Sequence, residues 1–228
     1  MLPKMESAMR RVAFVTIGQS PRSDVLPDII EQTQTQFEVT ERGALDGLTD
    51  DAIANLAPQP GEERLVTRLR DGREVLLGKP AIDRRLHTIL AELDQARFDL
   101  LVLLCTGHFT PFHLRTPFIE PQHTVDHFVQ GLAYGAERIG IVLPNAAQID
   151  EFHGIPGLAT KAAGASPYLV GNEAALQQAG ASLADTDIIV MHCIGYTEAM
   201  RKVVKQAANR PVLVSRLLVA HAIDIVLA

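Results

Sequence analysis

Apolar residues fall along this chain in short blocks of strand length, separated by stretches with helical spacing. Val12 to Ile17 (VAFVTI) is apolar and partly β-branched and stops at Gly18-Gln19-Ser20-Pro21-Arg22, where Gly and Pro end a strand. Ser23 or Asp24 is placed to cap a following helix, whose apolar positions Val25, Leu26, Ile29 and Ile30 share one face. Further strands are expected at Phe37 to Leu45, Asp99 to Leu104, Arg138 to Leu143, Pro167 to Val170, Asp187 to Met191 and Pro211 to Val214. Helices are expected at Leu48 to Ala57 with Thr49 as cap, Pro80 to Phe98, Val125 to Glu137, Ala146 or Ala147 to His153, Asn172 to Gly180 and Thr197 to Ala207, with a last one at the end of the chain. Arg64 to Gly78 alternates on both sides of Asp71-Gly72, a dipeptide suited to a two-residue turn, and reads as a β-hairpin.

Strand and helix in alternation imply parallel sheets covered by helices, an α/β fold. The chain also rhymes with itself. Each half opens with a strand running into a polar loop (VTIGQSPR and IVLPNAAQ) and later has an apolar strand ending on cysteine (FDLLVLLCTG and TDIIVMHCIG). In parallel sheets ligands bind at the carboxyl ends of strands, which is where all four loops fall.

Composition narrows the classes. A 47% hydrophobic and 21% charged content across 228 residues is that of a folded protein, one domain or two of roughly 100 residues. The longest apolar runs are far short of the roughly 20 residues that cross a bilayer, so no membrane association is expected. MLPKMESAMRR has no apolar block before the first strand, so no secretory signal is read and the cytoplasm is the expected compartment. A net charge of −6, without clustered Lys, Arg and aromatics, argues against nucleic acid.

The two cysteines are too few for a disulfide framework or a structural zinc site, so free thiols are expected. A buried cysteine is often plain core filler. Here both end β-strands, and both have glycine two residues on (Gly107, Gly195) and a threonine close by (Thr106, Thr197). Backbone of that kind lets a substrate approach closely. Two facing thiols can remove a proton beside a carbonyl from one side and return it on the other, with no cofactor. A helix start after Gly195 would help to hold Cys193 as thiolate. His108, His113, His123 and His127 invite a metal reading, but no HExxH pattern is present and no metal is assigned.

VAFVTIGQSPRSDVLPDI, LLVLLCTGHF and IIVMHCIGYTEAMR resemble the aspartate/glutamate racemase superfamily, which includes hydantoin racemases, maleate isomerases and arylmalonate decarboxylases, and within it most resemble the AroM family. The likeness runs over essentially the whole chain. It implies two pseudo-symmetric α/β lobes, residues 1–118 with 209–228 and residues 119–208, and an active site in the cleft between them. It implies a cofactor-independent site with Cys105 and Cys193 in the acid/base positions. It also implies that the loop of Gly18, Gln19, Ser20 and Arg22 helps to hold a substrate carboxylate, Arg22 as a bidentate fork, and that Pro144 and Asn145 form the matching loop of the second lobe.

Thr106, Gly107, Ile194, Gly195 and Thr197 flank the sulfurs, and hydrogen bonds from Thr106, Gly107 and Thr197 would stabilise an enolate oxygen. Arg22 could equally pair with Asp24 or Asp28, and Thr197 could equally cap a helix. His108 is favoured over His192 as a site residue, because the strand neighbour of a cysteine points to the opposite face. The expected function is racemisation or isomerisation of a small carboxylate or amide-containing molecule by two-cysteine proton transfer. Decarboxylation, cis–trans isomerisation by one nucleophilic cysteine, and ligand binding without turnover stand as alternatives. A homodimer is the general expectation for a soluble enzyme.

Overall fold

The computed structural model describes residues 9–133 and 135–228. The amino-terminal residues read above for a secretory signal, up to residue 8, lie outside these, as does Tyr134 in the expected helix 125–137. The first sheet orders β2 (Phe37–Gly43), β1 (Arg10–Thr16), β5 (Leu100–Leu103) and β6 (Phe118–Ile119), all parallel. The second orders β8 (Thr160–Gly164), β7 (Ile139–Leu143), β9 (Ile188–Met191) and β10 (Val212–Val214), again all parallel. Each sheet therefore runs second, first, third, fourth strand of its half, and the rhyme in the sequence is a repeated topology. A hairpin of β3 (Arg64–Arg68) and β4 (Glu74–Gly78) stands outside both sheets.

The unbroken apolar runs are explained by burial on both faces. In β1 and β5, Ala13, Val15, Leu101 and Leu103 pack with Ile82, Leu86, Leu90 and Leu93 of α3 (Lys79–Gln95). Their neighbours Val12, Phe14, Leu100 and Val102 point the other way, onto α1 (Leu26–Gln32) and α7 (Ser215–Leu227). In the second lobe Ile189 and Met191 face α5 (Glu173–Ser182) and α6 (Glu198–Ala208), while Val190, Ile139 and Ile141 face α4 (Pro121–Leu132). Each Val, Leu, Ile, Phe or Met among them, fully buried, contributes about 1.5–3 kcal/mol. Cys105 closes the first of these clusters and Cys193 belongs to the second-lobe one.

Several boundaries differ from expectation. β10 pairs with β9, so it completes the second sheet, and α7 packs on both α1 of the first lobe and α4 of the second. The segment 209–228, expected with the first lobe, thus contains β10, a strand of the second sheet. No strand forms at Pro167 to Val170; the edge strand is β8, whose small and polar TKAAG lacks an apolar signature because it is half-exposed. α1 has no side-chain cap, since Asp24 is held by Arg22. Thr49 does cap α2 (Asp50–Ala54). Residues 69–73 connect the hairpin strands as a longer loop in place of a two-residue turn, with Gly72 at φ 92°. The helix expected from Ala146 is a 3-10 segment, Ala146–Glu151.

Candidate active site

The hairpin joins the lobes. Alternate β3 side chains enter different cores, Leu65 that of the first lobe and Val66 that of the second. Arg64 pairs with Glu151, Gln148 Nε2 donates to the Arg64 carbonyl at 2.8 Å, and Ser166 donates to Glu74. Between these elements lies a cavity of about 90 Å³. One water needs roughly 10–15 Å³ on that measure, so a ligand of several heavy atoms fits.

Both cysteines line this cavity, one from the end of each central sheet. Cys105 is 9% and Cys193 6% exposed. Each sulfur accepts a hydrogen bond from the glycine two residues on, Gly107 N–H and Gly195 N–H, both at 3.4 Å. The two turns are therefore copies of one device. Burial dominates the titration: it pushes the Cys105 thiol up to about 12 and raises that of Cys193 as well, so both are protonated at neutral pH. The backbone after Cys193, expected to help hold its thiolate, does contribute the Gly195 amide, but burial outweighs it.

The two sulfurs are not equivalent. Tyr168 Oη lies 3.7 Å from Cys193 Sγ, and Arg22 Nη2 donates to Tyr168 Oη at 3.5 Å. The Gly195 amide, the Tyr168 hydroxyl, Arg22 and Arg216 all favour ionised Cys193, whereas Cys105 has the Gly107 amide and Arg22. Burial holds the Tyr168 phenol well above its ordinary value, so it remains a donor. Gly195 makes room for it: a Cβ there would sit 2.6 Å from Tyr168 Oη. Arg216, buried beneath the Cys193 turn, donates to the carbonyls of Ile194 at 3.1 Å and Gly195 at 2.9 Å and pairs with Asp28.

Of the other predicted residues, Arg22, Thr106, Gly107, His108, Pro144 and Ile194 line the cavity. Arg22 is no open clamp, however. It is 2% exposed, forms a two-point ion pair with Asp24 at 2.7 and 2.9 Å, and donates to Thr16 Oγ1 at 3.0 Å and to Tyr168. With five N–H donors in a guanidinium, at most one stays free. Burial opposes its charge, but Asp24 and Tyr168 outweigh that and raise its pKa. Thr106 donates to the His192 carbonyl at 3.1 Å, tying the two strand ends together, so its hydroxyl is already committed.

The remaining predicted residues do not line the cavity, and each has a structural task. Gly18 admits the hairpin, since a Cβ would lie 2.5 Å from Thr67 Oγ1. Gln19 Oε1 accepts from Arg70 N at 2.9 Å, and Ser20 is bound by Asp46 at 2.8 and 2.6 Å. Asn145 caps the 3-10 segment and Thr197 caps α6. Gly195 acts through its amide and its lack of a side chain. His192, expected under the sheet, does line the cavity and also reaches Asp126 at 3.3 Å, because Met191 ends the strand and alternation stops there. His123 and His127 lie on α4, away from the cavity, and no group of three or more metal-ligating side chains occurs among the described residues.

Sequence reading missed Tyr168, Thr67, Arg64, Gln122 and Gln148, all cavity residues. The hairpin was visible, but nothing in its alternation says that it bridges two lobes.

Among the described residues no helix is long and apolar enough to cross a membrane. A comparison with curated proteins finds no match. Solved structures share the fold at low identity. Allantoin racemase from Pseudomonas fluorescens has a TM-score of 0.61 and 12% identity, over 95% of this chain and 90% of that one. Arylmalonate decarboxylase gives 0.59 and 12%, over 95% and 92%. The maleate isomerase Iso from Pseudomonas putida gives 0.57 and 14%, over 96% and 92%. The two-lobed architecture is thus that of the aspartate/glutamate racemase fold. Residues 12–227, which span both sheets, both cysteine turns and the hairpin, match the AroM protein family, and the chain belongs to it.

Proposed function

We propose that the protein is a cofactor-independent enzyme that moves a proton at the carbon next to a carbonyl in a small carboxylate or amide-containing molecule, as a racemase or isomerase. The observation that carries this reading is that two thiols from separate sheets, each with its own glycine amide, line one small cavity. Of the two, Cys193 has the better support for a negative charge, and Cys105, pushed up to about 12, is the better held proton donor.

The cycle begins when Cys193, the better supported of the two, releases its proton to solvent; in the forward direction its thiolate then takes the proton from the carbon. The electron pair of that C–H bond becomes the C=C bond of an enolate whose charge rests on the former carbonyl oxygen. The Cys105 thiol then gives its proton to the carbon from its own side and becomes the thiolate, ready for the reverse passage. Ionising Cys105, with a pKa of about 12, at pH 7 would cost about 7 kcal/mol, so Cys193 with its extra donors is the sulfur that ionises first. The fold neighbours that racemise, isomerise or decarboxylate are consistent with a site of this type.

The test is exchange in heavy water, with panels of amino acids, hydantoins and small dicarboxylates followed for deuterium at the α carbon. Exchange that disappears in both Cys105→Ala and Cys193→Ala supports the pair. Full exchange in each variant removes the sulfurs from the chemistry. The unequal surroundings of the sulfurs also favour a second reading, nucleophilic attack by Cys193 alone, whose mark is a substrate adduct on that one residue by mass spectrometry.

A further inference from the structure

Among the described residues, three buried side-chain polar atoms have no hydrogen-bond partner: Thr67 Oγ1, His108 Nε2 and Gln148 Oε1. All three belong to residues that line the cavity. Each such atom has given up water without gaining a partner, which is unfavourable as long as it stays unpaired. Random packing faults would scatter over two lobes and a hairpin, so their convergence on one cavity marks a surface shaped for a polar ligand.

The three atoms do not ask for the same thing. Gln148 Nε2 donates to the Arg64 carbonyl, and a carbonyl cannot donate back, so the orientation of this amide is fixed. Its Oε1 is left as a pure acceptor, satisfied by an N–H or O–H entering the cavity. Thr67, fully buried, and His108, which burial lowers and so keeps neutral at pH 7, can each donate or accept.

Charge points the same way. The cavity-lining cations Arg22 and Arg64 are matched by Asp24 and Glu151, and the cavity-lining Glu63 is matched by Lys79 at 2.8 Å. Three cations against three carboxylates leave nothing over, and a further carboxylate, Asp126, lies buried behind His192 and Gln122. A dianion would bring two carboxylates into the cavity with no cation to meet either, and a neutral ligand brings none.

We propose that the cavity takes a neutral or singly charged amide, imide or ureide, with an N–H held by Gln148 Oε1, and that it discriminates against dicarboxylates. Thr67 and His108 hold the neighbouring carbonyl and the remaining donor of such a ligand. This inference rests on the cavity being the site of the proton transfer proposed above.

The test is calorimetric binding of hydantoin, its N-methylated derivatives and succinate to the full chain, with thermal shift as a second readout. Hydantoin should bind at least 10-fold more tightly than succinate, and methylation of the N–H that meets Gln148 should lose 10-fold or more. Gln148→Leu should lose a similar factor. Thr67→Val, nearly isosteric, should weaken hydantoin several-fold, and it serves if Gln148→Leu does not fold. Tighter binding of succinate, indifference to methylation, unchanged binding in the variants, or no binding by any probe overturns the inference. Hydantoin binding without deuterium exchange into 5-methylhydantoin would preserve the ligand class and count against the acid/base chemistry; exchange confined to dicarboxylates would do the reverse.

Discussion

Replacing Tyr168 by Phe removes one hydroxyl and tests the asymmetry between the sulfurs without knowledge of the substrate. Its oxygen is 3.7 Å from Cys193 Sγ, long for a hydrogen bond, so the lower end of the range for charged partners applies, about 1.4 kcal/mol or one pKa unit. In Tyr168→Phe the Cys193 thiolate should therefore appear about one pH unit later. The assay is the pH dependence of modification by methyl methanethiosulfonate, a reagent small enough for the cavity, resolved by peptide mass spectrometry. At fixed pH below the midpoint the thiolate fraction falls about 10-fold, but intrinsic nucleophilicity rises with pKa, leaving a net slowing of roughly 3-fold. Cys105 should titrate higher than Cys193 in the parent and be unaffected in the variant. A midpoint for Cys193 that does not move, an equal movement of both cysteines, or Cys105 reacting first would refute the assignment of base and acid.

Asp24→Asn strips the buried Arg22 of its counter-charge and should cost about 3–5 kcal/mol, read as a fall in Tm of roughly 10 °C by calorimetry. Burial raises the Asp24 pKa but its bonds to Arg22 outweigh this and hold it below the ordinary carboxylate value. Its stabilisation is thus present above about pH 4 and lost as pH falls through the depressed folded value, which acid titration of unfolding in the parent would follow. Cys105 titrates with the opposite sign: raised from 9.0 to about 12, it stabilises fully below pH 9 and loses about 4 kcal/mol as pH rises through 12, a slope that Cys105→Ala should remove from the alkaline limb of a denaturation series. Gly195→Ala places a methyl 2.6 Å from Tyr168 Oη and should cost about 1–3 kcal/mol while shifting the Cys193 reactivity profile upward, as Tyr168→Phe does.

The chain by itself determined the layered fold and the placing of both cysteines at strand ends. Unbroken runs such as LLVL and IGIVL can be buried only between helices, and parallel strands deliver their carboxyl ends, with Cys105 and Cys193, to one edge. Cap signals at Thr49 and Thr197 are local and held. Tertiary structure alone decided what surrounds the sulfurs. Tyr168 comes from a loop after an edge strand with no apolar signature, and Gln148 and Thr67 come from a 3-10 segment and a hairpin that meet only because β3 enters both cores. It also decided that Arg22 is closed off by Asp24, that Gln19 and Ser20 serve Arg70 and Asp46, and that β10 stays with the second sheet. Periodicity reports which face of an element is buried, because that is a property of neighbouring residues. Which distant side chain completes a hydrogen bond, or desolvates a thiol, depends on long-range packing that no local pattern encodes.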